Sequence, residues 1–205
     1  MKQFIYTLLA VGLGISSARG QAPSDSSTWA FGAEANLYII QGHSILLPVM
    51  RANKNKLHLE ARYNYEDLQT FSGWAGYNIT GGKQIEYMIT PMIGGVVGLS
   101  KGIAPGLEFT FSSGKFELYS ESEYLFNTDN KENNYMYTWT DLTYSINDNL
   151  YVGVSVQRTR LYQTALDTQR GLVLGGNLKN WEITGYLYNL GFDTAFGIIS
   201  LGLEF

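Results

Sequence analysis

Residues 57–66 read Leu57-His58-Leu59-Glu60-Ala61-Arg62-Tyr63-Asn64-Tyr65-Glu66, and in this stretch apolar or aromatic residues alternate at every position with polar or charged ones. Successive side chains of a β-strand point to opposite faces, so this pattern predicts a strand with one apolar face and one charged face. The same period of two recurs along the chain, in segments separated by clusters of Gly, Asn, Ser, Asp and Lys. The sequence therefore predicts an all-β protein.

The spacing of these segments predicts how the strands are connected. We count about twelve strands, with a range of about ten to fourteen because segments 45–50 and 92–100 are short or interrupted by glycine. Apart from a first hairpin near Gly42, short turns alternate with longer loops at 66–70, 92–103, 127–134, 161–168 and 190–195. This rhythm is typical of a transmembrane up-and-down antiparallel β-barrel with both termini on the periplasmic side.

A soluble β-sandwich also has alternating strands, so the character of the apolar faces must separate the two architectures. Here those faces are long and rich in aromatic residues, with 15 Tyr, 10 Phe and 4 Trp in 205 residues. A lipid-facing wall with aromatic girdles requires this composition. After the N-terminal region there is no apolar run of the length needed for a membrane-spanning helix. We therefore favour the barrel.

The first twenty residues differ in character from the rest of the chain. Lys2 precedes the apolar stretch 4–15, which ends in the small residues of 16–20. This order is that of a secretory signal peptide, cleaved after Gly20 or, alternatively, after Ala22. We predict a signal peptide at 1–20 and one barrel domain at 21–205.

Composition and charge exclude several functions. The chain has no Cys, which excludes disulfides and thiolate metal sites. Its formal net charge of −4 argues against a nucleic-acid binder held by a basic face. No cofactor or metal site is predicted.

The last strand carries the most specific resemblance to known proteins. Ile199, Leu201, Leu203 and the terminal Phe205 alternate with small or polar residues. This ending resembles the last strand of bacterial outer-membrane barrel proteins. The resemblance implies a monomer in the bacterial outer membrane, with Phe205 recognised by the barrel-assembly machinery. Segments 57–67 and 157–160 also resemble those of uncharacterised Gram-negative outer-membrane proteins, a likeness that implies no particular activity.

If the apolar face meets lipid, the charged face lines the lumen. The predicted lumen residues are Glu34, His58, Glu60, Arg62, Glu66, Glu86, Glu108, Glu117, Glu121, Glu123, Asp141 and Glu182, with Glu204 at the last strand's end. Carboxylates greatly outnumber cations in this set, and such a lumen attracts cations. We predict a small pore or a ligand-binding barrel that accepts a small cationic solute. A packed polar interior, which makes the protein a closed structural barrel, is the alternative.

Three arginines interrupt the alternation near the predicted loop 161–168. Strict alternation points Arg158, Arg160 and Arg170 to the apolar face at the outer rim. Guanidinium groups pair with phosphates in bidentate geometry, so we predict a lipopolysaccharide-binding cluster. The alternative is a β-bulge that turns these side chains inward toward the carboxylates.

An enzymatic function depends on the two histidines, because outer-membrane hydrolases pair His with Ser or Asp. His43 and Ser44 adjoin the first predicted hairpin, and neighbouring residues on a strand point to opposite faces, which argues against a direct nucleophile–base pair. His58 lies near the predicted periplasmic end. We favour a protein that is not an enzyme and assign no catalytic residue.

Overall fold

The computed structural model describes residues 28–40, 42–161 and 167–205, without the side chains of residues 160 and 161. The predicted signal peptide at 1–20 lies outside the described residues. Within the described ranges, no helix is both long enough and apolar enough to pass through a bilayer.

The described residues form a single antiparallel sheet. Its segments are β1 (Ala30–Ile40), β2 (His43–Lys54), β3 (Leu57–Tyr63), β4 (Phe71–Tyr77), β5 (Ile79–Gly81), β6 (Glu86–Val97), β7 (Gly102–Ser113), β8 (Phe116–Asn127), β9 (Tyr135–Asn147), β10 (Leu150–Leu161), β11 (Asp167–Leu178), β12 (Trp181–Tyr188) and β13 (Phe196–Glu204). A 3₁₀ turn at Lys131–Asn133 lies between β8 and β9.

The sheet closes on itself. Apart from β4 and β5, each segment pairs with its neighbours in sequence. β1 pairs with β13 over eight residue pairs, from Gly32 with Glu204 to Ile39 with Gly197. Both β4 and β5 pair with β6, so they are two parts of one barrel strand interrupted at Asn78. The result is a closed 12-strand up-and-down barrel, which confirms the predicted fold and strand number.

The two ends of the barrel have connections of different length. Tight turns at 55–56, 82–85, 114–115, 148–149 and 179–180 lie at the end that holds Trp29 and Phe205. Gly82 has φ of 106°, and a Cβ there would collide with the carbonyl oxygen of Ile85, so this turn requires glycine. Longer connections at 64–70, 128–134 and 189–195 lie at the opposite end, which we call the outer end.

Three predicted boundaries are wrong. The predicted loop 92–103 is mostly strand, since β6 and β7 leave only 98–101 between them. Position 94 of β6 is a glycine because the Trp74 ring occupies the space where a side chain would lie. Without a side chain there, the alternation that predicts a strand is interrupted. β2 extends beyond 45–50 in both directions, and β3 ends at Tyr63 rather than continuing to Glu66.

The two faces of the sheet have opposite chemistry. Large apolar side chains are exposed on the outside of every barrel strand, for example Ile93, Val154, Leu172 and Ile183. The buried side chains on the inside include many polar and charged groups, among them Glu60 and Arg62. A soluble sandwich has the reverse arrangement. A closed sheet with an apolar exterior suits a bilayer, because closure satisfies the backbone hydrogen bonds that lipid cannot.

Aromatic rings form a girdle at the end that carries the termini. Trp29 stacks on Phe31 and Phe31 on Phe205, with ring centroids 6.1 and 6.0 Å apart. Phe205 also exchanges two backbone hydrogen bonds with Phe31, so the terminal residue lies within the sheet. The Lys54 ammonium lies 5.6 Å from the Trp29 ring centroid. Amphipathic groups of this kind are typical of a membrane–water interface.

Candidate functional site

Most predicted lumen residues lie inside the barrel. The buried ones are Glu34, His58, Glu60, Arg62, Glu66, Glu108, Glu121, Glu123, Asp141 and Glu182. Glu117 and Glu204 are half-buried near the tight-turn end, and Glu86, the first residue of β6, is exposed there. Ten of the predicted residues are thus buried, and the three that are not lie near the tight-turn end.

Arg62 is the centre of the interior charge cluster. Its side chain, on β3, is only 1% exposed and contacts four carboxylates. Its Nε donates to Glu60 at 2.6 Å, and its Nη1 donates to Glu121 at 2.6 Å and to Glu123 at 3.3 Å. Its Nη2 lies 3.5 Å from Glu108. One guanidinium thus joins carboxylates of three strands across the lumen.

A second arginine in the cluster was missed by the sequence analysis. Arg51, on β2, donates from Nη1 to Glu34 at 2.7 Å and from Nε to Glu60 at 2.8 Å. The predicted segment 45–50 stops one residue before Arg51, so the pattern assigns this arginine to no strand. Continuing the alternation of Leu47 and Val49 by one step would have placed it in the lumen.

The connection between β3 and β4 folds inward and covers Arg62. The Tyr65 ring lies 4.6 Å from the Arg62 guanidinium on one side, and the Trp74 ring lies 4.7 Å from it. The Tyr65 hydroxyl donates to Glu121 at 2.8 Å. Burial raises the pKa of the Tyr65 phenol well above its usual value, so this hydroxyl keeps the proton that it donates. The segment 64–70 is therefore part of the lumen rather than a free loop.

A tyrosine-rich network fills the opposite half of the barrel. Asp141, on β9, accepts hydrogen bonds from Trp139 Nε1 at 2.7 Å, Ser155 Oγ at 2.5 Å and the Tyr186 hydroxyl at 3.1 Å. Glu182 accepts from the Tyr151 hydroxyl at 2.5 Å. These donors are neutral side chains, in contrast with the two guanidinium groups that contact Glu60.

A cavity of about 900 Å³ lies above these networks, at the outer end. Its walls include Tyr38, Tyr137 and Phe196, and Tyr65 and Glu66 line it next to the Arg62 cluster. The lumen thus has two parts, a packed interior and this cavity, which we call the outer cavity.

The donor atoms of His58, Glu60 and Glu108 all lie within 4.8 Å of one another, a spacing that suits a metal ion. However, Glu60 already accepts from Arg51 and Arg62, and its Oε1 lies 3.0 Å from His58 Nε2. Two guanidinium groups in direct contact with the central carboxylate disfavour a further cation there. These residues therefore form an ion-pair network rather than an evident metal site.

The two histidines lie far apart in the fold. His43 is exposed at the outer start of β2, where it faces Ile40 of β1. His58 is buried near the tight-turn end, and its Nδ1 lies 2.8 Å from Asn53 Oδ1. His58 is thus occupied by interior partners.

Comparison with known proteins gives structural matches only. No protein-family model matches the chain, and no curated protein matches it. Among solved structures, the KdgM porin shares 13% identity, with 85% of this chain and 98% of that chain covered and a TM-score of 0.59. The NanC porin shares 11% identity, with 84% and 98% covered and a TM-score of 0.57.

The fold is that of bacterial outer-membrane porins. A second structure of the first neighbour, described as the KdgM porin in complex with disordered oligogalacturonate, matches with 11% identity over 85% of this chain and 98% of that one, at a TM-score of 0.58. At 11–13% identity, the similarity to these porins establishes the fold of this chain, a porin-like barrel. The function of the barrel interior depends on the residues of this chain.

The outer surface of the porin-like barrel carries two of the three predicted arginines. Arg158 on β10 and Arg170 on β11 are exposed. Arg170 pairs with Val156 and Arg158 with Thr168, so the two arginines are diagonal neighbours on the outer face. The register shift of β10 lies between Leu150 and Tyr151, at the other end, so no bulge turns Arg158 inward. The side chain of Arg160 lies outside the described residues.

Proposed function

We propose that this porin-like barrel is a small, cation-preferring pore with an acidic lumen. The observation that carries the proposal is the imbalance of buried charge. Eight carboxylates are buried in the barrel, those of Glu34, Glu60, Glu66, Glu108, Glu121, Glu123, Asp141 and Glu182. Only two arginines accompany them among the described residues that form ion pairs with this set: the buried Arg62, whose side chain is 1% exposed, and the partly buried Arg51, at 14%. An enclosed excess of carboxylates favours cations over anions.

The packed interior limits the size of the path. Arg62 and the Asp141 network occupy the two halves of the lumen below the outer cavity. A solute must displace or pass between these side chains, so we expect small conductance steps. Barrels of about 8 strands are filled by side chains and those of about 16 hold an aqueous channel, and a 12-strand barrel lies between these limits.

Neutralising the lumen is expected to reduce the cation preference. In planar bilayers the wild-type protein should show small, cation-selective steps, and the variant with Glu117→Gln, Glu121→Gln and Glu123→Gln should have a lower cation-to-anion permeability ratio. Asp148→Asn, on an exposed tight turn, is the control and should behave as wild type. A silent bilayer would reject the pore while leaving the fold intact. A permeability ratio that is unchanged in the triple variant would reject these carboxylates as the source of the cation preference.

A closed structural barrel anchored in lipopolysaccharide is the second candidate. Two observations favour it: the filled interior and the exposed, diagonally adjacent Arg158 and Arg170 near the outer end of the wall. Charge near a membrane interface is tolerated far better than at the bilayer midplane. Guanidinium groups in this position suit the phosphates of lipopolysaccharide.

Removing the arginines tests this candidate. The triple variant Arg158→Ala, Arg160→Ala and Arg170→Ala should bind lipopolysaccharide about tenfold or more weakly in a co-sedimentation assay, because two or three charge-assisted contacts are lost. Lys179→Ala, a cation on a tight turn at the opposite end, is the control. Equal binding by the triple variant and the wild type would reject an external arginine cluster.

The remaining sequence predictions belong to the same proposal. Export directed by residues 1–20 would deliver a monomer to the bacterial outer membrane, where lipid surrounds the apolar wall. The barrel-assembly machinery would read Phe205, and the exposed ring of this residue at the edge of β13 supports that role.

A further inference from the structure

The lining of the outer cavity has a consistent chemical character. Aromatic rings from several strands face it, including Tyr38, Tyr135, Tyr137 and Phe196. Its charged lining residues are Glu66 and Asp67, and among the described lining residues there is no Lys, Arg or His. Aromatic faces and carboxylates both attract positive charge. The cavity volume, about 900 Å³, is within the range of small-molecule sites.

Glu66 has an unsatisfied oxygen beside this cavity. The residue is 8% exposed, and its Oε1 accepts from Ser72 Oγ at 2.5 Å and from Trp74 Nε1 at 3.2 Å. Its Oε2 is buried and has no hydrogen-bond partner. A buried acceptor without a donor is energetically unfavourable, so the site lacks one donor.

Asp67 differs from Glu66 in this respect. Its Oδ1 accepts from the Leu68 backbone N–H, and its Oδ2 accepts from Ser100 Oγ, both at 2.8 Å. Asp67 thus fixes the loop against Ser100. Glu66 is the carboxylate that is left with capacity to accept a further donor.

We propose that the outer cavity binds a small organic cation that carries an N–H donor, such as a primary ammonium, at the carboxylate of Glu66. This inference rests on the proposed cation preference and names the class of cation and its site. The N–H would complete the hydrogen bonding of Glu66, and the tyrosine faces would contact the rest of the ligand. A bare metal ion fits less well, because among the described residues no group of three or more His, Asp or Glu ligands includes Glu66.

Three probes of similar shape separate the contributions. The purified full-length barrel in uncharged detergent is titrated calorimetrically with benzylammonium, benzyl alcohol and benzyltrimethylammonium. We expect benzylammonium to bind about tenfold or more tightly than benzyl alcohol, because only the former is charged. Benzyltrimethylammonium keeps the charge without an N–H, so it should bind more weakly than benzylammonium. Equal binding of all three probes, or none, would overturn the proposal.

Variants locate the site. Glu66→Gln keeps the shape and the acceptor for Ser72 and Trp74 while removing the charge, and it should abolish the preference for benzylammonium over benzyl alcohol. Glu132→Gln removes an exposed carboxylate from the outer 3₁₀ turn and should leave the preference intact. Retained preference in Glu66→Gln would overturn the assignment. A mobility shift between boiled and unboiled samples shows which variants are folded.

The binding and conductance experiments test the Glu66 site and the pore separately. If benzylammonium binds at Glu66 but bilayers stay silent, the cation site stands and the pore does not. If cation-selective steps appear but no probe prefers Glu66, the pore stands and the site is rejected. Since the probe titrations use the wild-type protein, they remain decisive even if Glu66→Gln does not fold.

Discussion

Arg62→Met should lower the free energy of unfolding by about 3–5 kcal/mol, because breaking a buried ion pair leaves uncompensated charge in the interior. The effect is expected to lie at the upper end of this range. Arg62 contacts Glu60, Glu121, Glu123 and Glu108, and Met cannot replace any of these hydrogen bonds. The Tyr65 and Trp74 rings would also lose the guanidinium that they enclose.

Denaturant titration of the barrel in phospholipid vesicles measures this loss, and Arg62→Lys is the matched control. Lys keeps the charge but lacks the planar guanidinium group that donates to several carboxylates at once. We therefore expect a smaller loss of unfolding free energy than for Met. Adding Glu60→Gln and Glu121→Gln to Arg62→Met should restore part of the stability, since fewer unpaired charges remain. Wild-type stability in Arg62→Met would show that the network contributes little to holding the barrel together.

The regular strands were the predictable part of this protein. Over Leu57–Tyr63 every side chain points to the face that the two-residue period predicts, with His58, Glu60 and Arg62 buried inside. Successive side chains of a pleated strand point to opposite faces, and here one face meets lipid while the other meets the lumen. Because these environments differ so strongly, the residue type at each position indicates its face. The same reasoning extends to β12 and β13, and Phe205 directly follows the closing strand.

Departures from the period limited the prediction. At Asn64 the backbone adopts φ of 57°, which ends β3 and turns the chain inward. Alternation therefore predicts a lumen-facing Glu66 on a strand, whereas Glu66 is buried in the connection that follows β3. Glycines had the opposite effect, since Gly94 and Gly95 resembled a loop while forming part of β6.

Contacts across the lumen could not be predicted from local pattern at all. Arg62 and Glu121 are 59 residues apart in sequence, and they meet because the barrel closes with a particular stagger between strands. Alternation identifies which residues face inward but not which of them lie at the same height. The partners of Arg62 and the unsatisfied Glu66 Oε2 thus required the three-dimensional structure.

The second large effect concerns the wall. Val154 lies mid-way along β10, points outward and is 49% exposed. In a lipid-facing wall, Val154→Arg should destabilise the barrel by about 2–4 kcal/mol, because it places a charge near the bilayer midplane. On a water-exposed sheet the same change would be close to neutral. The variant thus tests which face of the sheet meets lipid.

Leu178→Arg is the matched control for Val154→Arg. Leu178 also points outward and is 71% exposed, but it ends β11 at the tight-turn end, where interfacial charge should cost only about 0–1 kcal/mol. Both variants are unfolded by denaturant from phospholipid vesicles, and the difference between them is the measured quantity. Equal effects would contradict a depth-dependent lipid environment. A larger loss for Val154→Arg would instead place the middle of β10 in hydrocarbon, with the carboxylates of the opposite face enclosed inside.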